Sequence, residues 1–170
     1  CWNEALDIVK TEYWCTLDDD NKKAPQYFEK MVKYLDEHPE KDVVVCAMQN
    51  FGHTTGVNFQ IPPDWGSLKA CNRIDSGQVV WRKTILEKVG NFDERLIALD
   101  DWDYMVRAFA LYNKTGAAFG WLKEILCYYR WHSNKRMYSP EINKIVHDCS
   151  RIIADKEILD DIKVRFVVAE

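Results

Sequence analysis

The sequence lacks any C-x-x-C pair: its six cysteines (Cys1, Cys15, Cys46, Cys71, Cys127 and Cys149) are scattered, which argues against a zinc ribbon or a small disulfide scaffold. Reduced, mostly buried thiols in a cytoplasmic protein are expected instead. A basic excess is also lacking. With 23 Lys and Arg against 27 Asp and Glu, the net charge is -4 and the isoelectric point about 5.6, so the footprint of an electrostatic nucleic-acid binder is missing. No apolar run approaches the roughly 20 residues that cross a bilayer, and the opening CWNEALDIVK has neither the basic nor the apolar region of a signal peptide. Peripheral association at a membrane stays open. Repeats and low-complexity segments are absent, and without a G-x-G-x-x-G phosphate loop a nucleotidyltransferase is disfavoured.

What is present is a chain of 170 residues, 47% hydrophobic and 13% aromatic, enough to bury one sizeable core. The expectation is one α/β domain over residues 1–170. Ala5, Leu6 and Val9 suggest a helix over 3–11, and YWCTL at 13–17 a short strand that ends in three aspartates. Pro25 suits a first helical turn; Phe28, Met31, Val32 and Leu35 share a face of a helix from Gln26 to Glu37, which His38-Pro39 stops. DVVVCAM at 42–48 is continuously apolar, as a strand buried on both faces should be, and a parallel βαβ unit follows. Residues 49–73, broken by Gly52, Gly56, Pro62, Pro63 and Gly66, could be a loop, a hairpin or both and read as irregular. Beyond them the pattern predicts a strand at 78–82, a helix at 83–89 closed by Gly90, and a loop at 91–93. A helix over 100–112, strands at 117–121 and 124–130, and an amphipathic helix over 140–155 complete the reading, with IKVRFVVAE at the end as a last strand.

Three clusters carry chemistry. Asp18-Asp19-Asp20-Asn21 follows the first strand, where carboxylates project into the crevice of an open α/β sheet and can hold a hard divalent cation on phosphate oxygens. An acidic turn capping the next helix is the competing reading. Asp100-Asp101-Trp102-Asp103 opens a helix, where one carboxylate beside a substrate hydroxyl could act as general base; helix capping and a solvated acidic turn is the alternative. Tyr129-Arg130-Trp131-His132-Ser133-Asn134-Lys135-Arg136 brings a histidine able to ligate a metal together with cations suited to phosphate, against the alternative of a basic surface loop. Of Trp65, Trp81, Trp102 and Trp131, most are expected in the core, with Trp102 the candidate for stacking on a sugar.

Together the motifs resemble the family 2 glycosyltransferases, and within them the spore-coat polysaccharide transferase type. CTLDDDN followed by APQYFEKMVKYLDEHPEKDVVV is similar to that type's aspartate motif, helix and LDxHPEK segment. GQVVWRKTILEKVGNFDERLIALDDWDYMVRA resembles the family's acceptor-side pattern, in which a V-G-x-F-D-E loop leads to an ED-x-D helix, and YRWHSNKR resembles its histidine loop. The likeness covers residues 1 to about 137.

The resemblance implies an inverting, metal-dependent enzyme of the GT-A fold, a nucleotide-diphospho-sugar transferase fold of Rossmann-like α/β type. Asp20 would coordinate Mn2+ or Mg2+ with His132 close by, and Asp101 would be the base. Asp18, Asp19, Trp102, Asp103, Arg130, Lys135 and Arg136 would bind donor or acceptor. The donor implied is a nucleotide-diphosphate sugar, with UDP-sugar favoured, and the acceptor a saccharide or glycan. The family's opening V-S-V-I-I-P-x-Y-N strand and the strand whose aspartate reads uracil have no counterpart here, and Trp2 stands where an arginine often contacts the nucleotide. The fold is therefore expected to be N-terminally truncated, a mixed sheet flanked by helices. An exposed sheet edge and apolar face would then favour a homodimer or limit the stability of the chain. The reading from a different class is a non-catalytic carbohydrate- or protein-binding module on the same fold.

Overall fold

A computed structural model describes residues 2–58, 62–133 and 140–154. The elements run α1 (Trp2–Asp7), β1 (Tyr13–Trp14), β2 (Lys22–Lys23), α2 (Tyr27–Glu37), β3 (Val43–Gly52), β4 (Gly56–Asn58), α3 (Trp65–Ala70), β5 (Val79–Arg82), α4 (Lys83–Val89), α5 (Asp100–Leu111), β6 (Phe119–Trp131) and α6 (Pro140–Ala154). A 3-10 turn, Ser76–Gln78, leads into β5.

Five strands order as β1-β5-β3-β6-β2, with β4 attached to β3. The expected βαβ unit is only half right. Strands β1 and β3 do run in the same direction, but β5 lies between them and is antiparallel to both. The parallel neighbour of β3 is β6, and this mixed sheet is what the truncated α/β reading anticipated.

Strand β3 is buried along its first six residues, because side chains pointing to alternate faces enter two different cores. Val43 and Val45 join a large cluster with Leu68 of α3, Ile85 of α4, Trp102, Met105 and Phe109 of α5, and Ile153 of α6. Val44, Cys46 and Met48 face a smaller cluster built with Tyr27, Met31 and Leu35 of α2. Strand β5 divides in the same way, Val79 and Trp81 to the first cluster and Val80 to the second. Helices therefore cover both faces of the described sheet, and the apolar face expected to lie open is not found there.

Other differences from the sequence reading have local causes. Helix α1 stops at Asp7 and β1 is two residues long. Within 49–73 the described residues form regular elements, and the hairpin left open for this stretch is present: β3 continues to Gly52, β4 pairs back on it, and Asp64 caps α3 by accepting a hydrogen bond from the Ser67 amide at 2.9 Å. The two strands expected near 117–130 are one strand, with register shifts opposite Cys46, Ala47 and Met48. The last expected strand, within 155–170, lies outside the described residues.

Candidate active site

The acidic turn after β1 is pinned to the far end of β6. Asn21 donates to an Asp18 carboxylate oxygen at 3.0 Å and accepts from the Arg130 amide at 2.9 Å. The Arg130 guanidinium donates to the Asp20 carbonyl at 3.0 Å and lies 4.7 Å from the centre of the Phe51 ring. Through this clamp, His132 Nε2 comes within 2.7 Å of Asp20 Oδ2. The predicted metal pair is thus brought together although the turn and β6 are far apart in sequence. Asp19 beside them is exposed. Lys135 and Arg136 lie outside the described residues.

At the other side of the site, α5 begins after Leu99, whose φ of 61° is left-handed. That backbone turns Asp100 and Asp101 together into a cavity of about 180 Å³. Asn72 donates to both carboxylate oxygens of Asp101, at 3.0 and 3.2 Å, and the Trp102 amide donates to one of them at 2.7 Å. Burial, and next the negative charge of Asp75, push the Asp101 carboxyl up to about 7. A carboxylate in that range can take up a proton near neutrality.

The sequence reading missed Asp75, which lines the same cavity. Its carboxylate accepts from the Gly77 amide at 2.8 Å, and its own amide donates to the side chain of Gln78 at 3.0 Å. Gln78 is buried and anchored in turn on the Cys46 carbonyl at 2.7 Å. Lys23 and Tyr27 both bond the Gly77 carbonyl from behind. Burial raises the Asp75 carboxyl to about 6, the Gly77 hydrogen bond opposing, and burial raises Asp18 too. The available signal was the D-x-x-Q spacing of a capping box, Asp75 to Gln78. Thr16, Ser76, Trp2 and Phe92 complete the lining; of these Trp2 and Phe92 had drawn attention through the family pattern.

Two predicted binders sit elsewhere. Trp102 is 2% exposed and its indole N–H donates to the Leu68 carbonyl at 2.7 Å, so it offers no ring face to a sugar. Asp103 is fully buried and pairs at 2.8 Å with Arg107, whose guanidinium also holds the carbonyls of Val89 and Asn91. That arrangement fastens α5 to the loop after α4, outside the cavity lining.

Five described cysteines are free, and burial pushes Cys46 and Cys127 up to about 12, which leaves them unreactive. Among the described residues no helix is long and apolar enough to cross a membrane.

An uncharacterized glycosyltransferase of Methanocaldococcus jannaschii is 25% identical over 150 residues, covering 84% of this chain and 49% of that protein. The chain therefore spans about half the length of the curated relative it matches. Among solved structures, S. aureus TarS 1-349 superposes with a TM-score of 0.64 at 17% identity, over 95% of this chain and 45% of that one. The crystal structure of S. aureus TarS 1-349 in complex with UDP gives 0.65 at 17% identity over the same shares, so the fold is shared. Residues 2–154 match the model of Glycosyl transferase family 2, and the chain belongs to that family.

Proposed function

We propose that this chain is a single domain forming the metal-site and acceptor-side part of an inverting glycosyltransferase that moves a sugar from a nucleotide-diphosphate donor to an acceptor hydroxyl. The observation that carries the reading is convergence: Asp18 of the acidic turn and Asp101 of α5 line one cavity, beside the Asp20–His132 pair. The TarS structure with UDP, a protein of the same fold, supports a uridine nucleotide as donor. A cytoplasmic setting suits reduced thiols.

Among the described residues no three His, Cys, Asp or Glu side chains gather as a protein-only metal cage. The donor set nevertheless fits Mg2+ or Mn2+, hard ions that keep several waters and bind through one or two protein ligands plus substrate phosphates. Asp20 and His132 would hold the ion. When bound, it would neutralise charge on the departing diphosphate.

The chain's own side chains do the rest. Asp101, oriented by Asn72 and the Trp102 amide, takes the proton from the acceptor hydroxyl as that oxygen attacks the anomeric carbon opposite the leaving group, which inverts the centre. No second carboxylic acid is required, because a diphosphate leaves without the protonation a glycosidase must supply. Arg130 keeps the acidic turn in place by holding the Asp20 carbonyl.

Calorimetric titration of UDP with and without manganese, repeated on Asp20→Ala, tests the reading. Manganese-dependent binding that the substitution abolishes is expected. Binding indifferent to both would remove the metal assignment, and no binding by the folded chain would remove nucleotide recognition from this segment.

A further inference from the structure

Asp101 has one side-chain partner able to answer either of its protonation states. Asn72 turns a single end of its carboxamide to it: Nδ2 donates to both carboxylate oxygens, at 3.0 and 3.2 Å. The other end, Oδ1, is buried and has no hydrogen-bond partner among the described residues. A buried carbonyl left in that state costs free energy.

Turning the amide end for end about its Cβ–Cγ bond would bring Oδ1 to Asp101 and leave Nδ2 in the unpartnered place. The two ends are alike in size and this torsion is broad, so the turn needs no repacking. Since neither orientation finds a second partner, the charge on Asp101 decides between them. A carboxylate only accepts and selects the N–H end, whereas a carboxylic acid has an O–H to donate and selects the carbonyl. The place of that proton is set as well. The Trp102 amide holds Asp101 Oδ1 at 2.7 Å, which leaves Oδ2 to take the proton up.

Resting on the reading of Asp101 as the base, we infer that Asn72 is a two-state positioning residue: it donates to Asp101 before the acceptor hydroxyl gives up its proton, then turns over and accepts from the protonated Oδ2. The bond that breaks is the acceptor O–H and the bond that forms is Oδ2–H, with no further reactant. Asp101 is thereby held in one orientation through both halves of the proton transfer.

The surroundings bring both states within reach. Asp75 from the 3-10 turn and Asp100 from the start of α5 act on Asp101, and Asp18 lines the same cavity. The cations Lys23 and Arg73 act on Asp75 and on Asp64 respectively. Burial, and next the charge of Asp75, raise the Asp101 carboxyl to about 7, so acid and carboxylate coexist near neutrality.

The test is a nuclear Overhauser measurement on the isotope-labelled chain, which needs neither donor nor metal. The Asn72 Nδ2 and Trp102 amide protons converge on Asp101 Oδ1, each about 2 Å from it, and so lie within about 4 Å of one another. Their cross-peak should be present at pH 8, where Asp101 is charged, and lost at pH 5. Asn72→Leu identifies the side-chain signal. Asp101→Asn should make that signal independent of pH, and Asp75→Asn should move the transition to lower pH by removing a like charge. A cross-peak that persists at pH 5 while the Asp101 carboxyl carbon reports protonation overturns the proposal. So does the absence of any transition between pH 5 and pH 8, or the same transition in Asp101→Asn. The UDP titration is separate: failure to bind UDP with this transition intact removes the nucleotide reading and leaves the Asn72 switch standing.

Discussion

Asp101 shows how one residue can be costly to the fold for the reason that makes it useful. Its carboxyl is raised to about 7 by burial and by Asp75, so the folded chain holds a proton there that the unfolded chain releases at lower pH. The contribution to stability is complete below the unfolded value near 4 and is lost as pH rises through the folded value of about 7. Asp75, raised to about 6, acts with the same sign. Thermal melts should therefore show the protein losing stability from pH 5 to pH 8. Asp101→Asn should flatten that slope and stabilise the chain at pH 8 by roughly 1–3 kcal/mol, and an unchanged slope would count against the buried, charge-coupled site. The sequence made Asp101 legible because an acidic pair opening an amphipathic helix is a local pattern. It hid Asp75, Thr16 and Asn72, since a capping-box aspartate, a strand threonine and an asparagine in a turn look ordinary until the chain folds the first two into the cavity lining and sets the third on the Asp101 carboxylate.

At the level of elements, legibility followed the range of the forces involved. Helix α4 was read to the residue, from Lys83 to Val89, with Gly90 closing it, and α2 to within one residue, because caps and apolar spacing act locally. Strand β2 was missed and β4 was foreseen only as one side of an open hairpin alternative: they are two or three residues long and exist only through pairing with β6 and β3. The gap read between two strands at 122–123 is the register shift opposite Cys46 and Ala47, where Lys123 and Glu124 go unpaired on β3. This irregularity lies close to a tight contact. A Cβ added at Gly120 would lie 2.2 Å from Tyr34 Cε1, and the Tyr34 ring is stacked on His38 with centroids 4.2 Å apart, which limits its retreat. Gly120→Ala should lower stability by about 1–3 kcal/mol through overpacking of α2 against β6. Urea denaturation would measure it, and a neutral result would mean that Tyr34 swings clear.

Across the whole molecule, the two clusters share their strands. Because Val43 and Val45 point one way and Val44, Cys46 and Met48 the other, neither core can loosen without disturbing the backbone that supports its neighbour. Helix α2 on one face and α3, α4, α5 and α6 on the other should therefore unfold as one cooperative unit. The tryptophans make this measurable, since Trp14, Trp81 and Trp102 belong to the large cluster and none belongs to the small one. Met31 is fully buried in the small cluster, and Met31→Ala should cost about 2–5 kcal/mol. In urea titrations the tryptophan fluorescence transition should move to lower denaturant together with the far-UV circular dichroism transition, although the substitution touches no tryptophan. If the fluorescence transition stayed in place while the dichroism shifted, the two faces would be independent units. The cavity would then owe its shape to the helices around α5 alone, and the clamp that Arg130 forms on the acidic turn would be free to open without unfolding the start of α5 at Asp101.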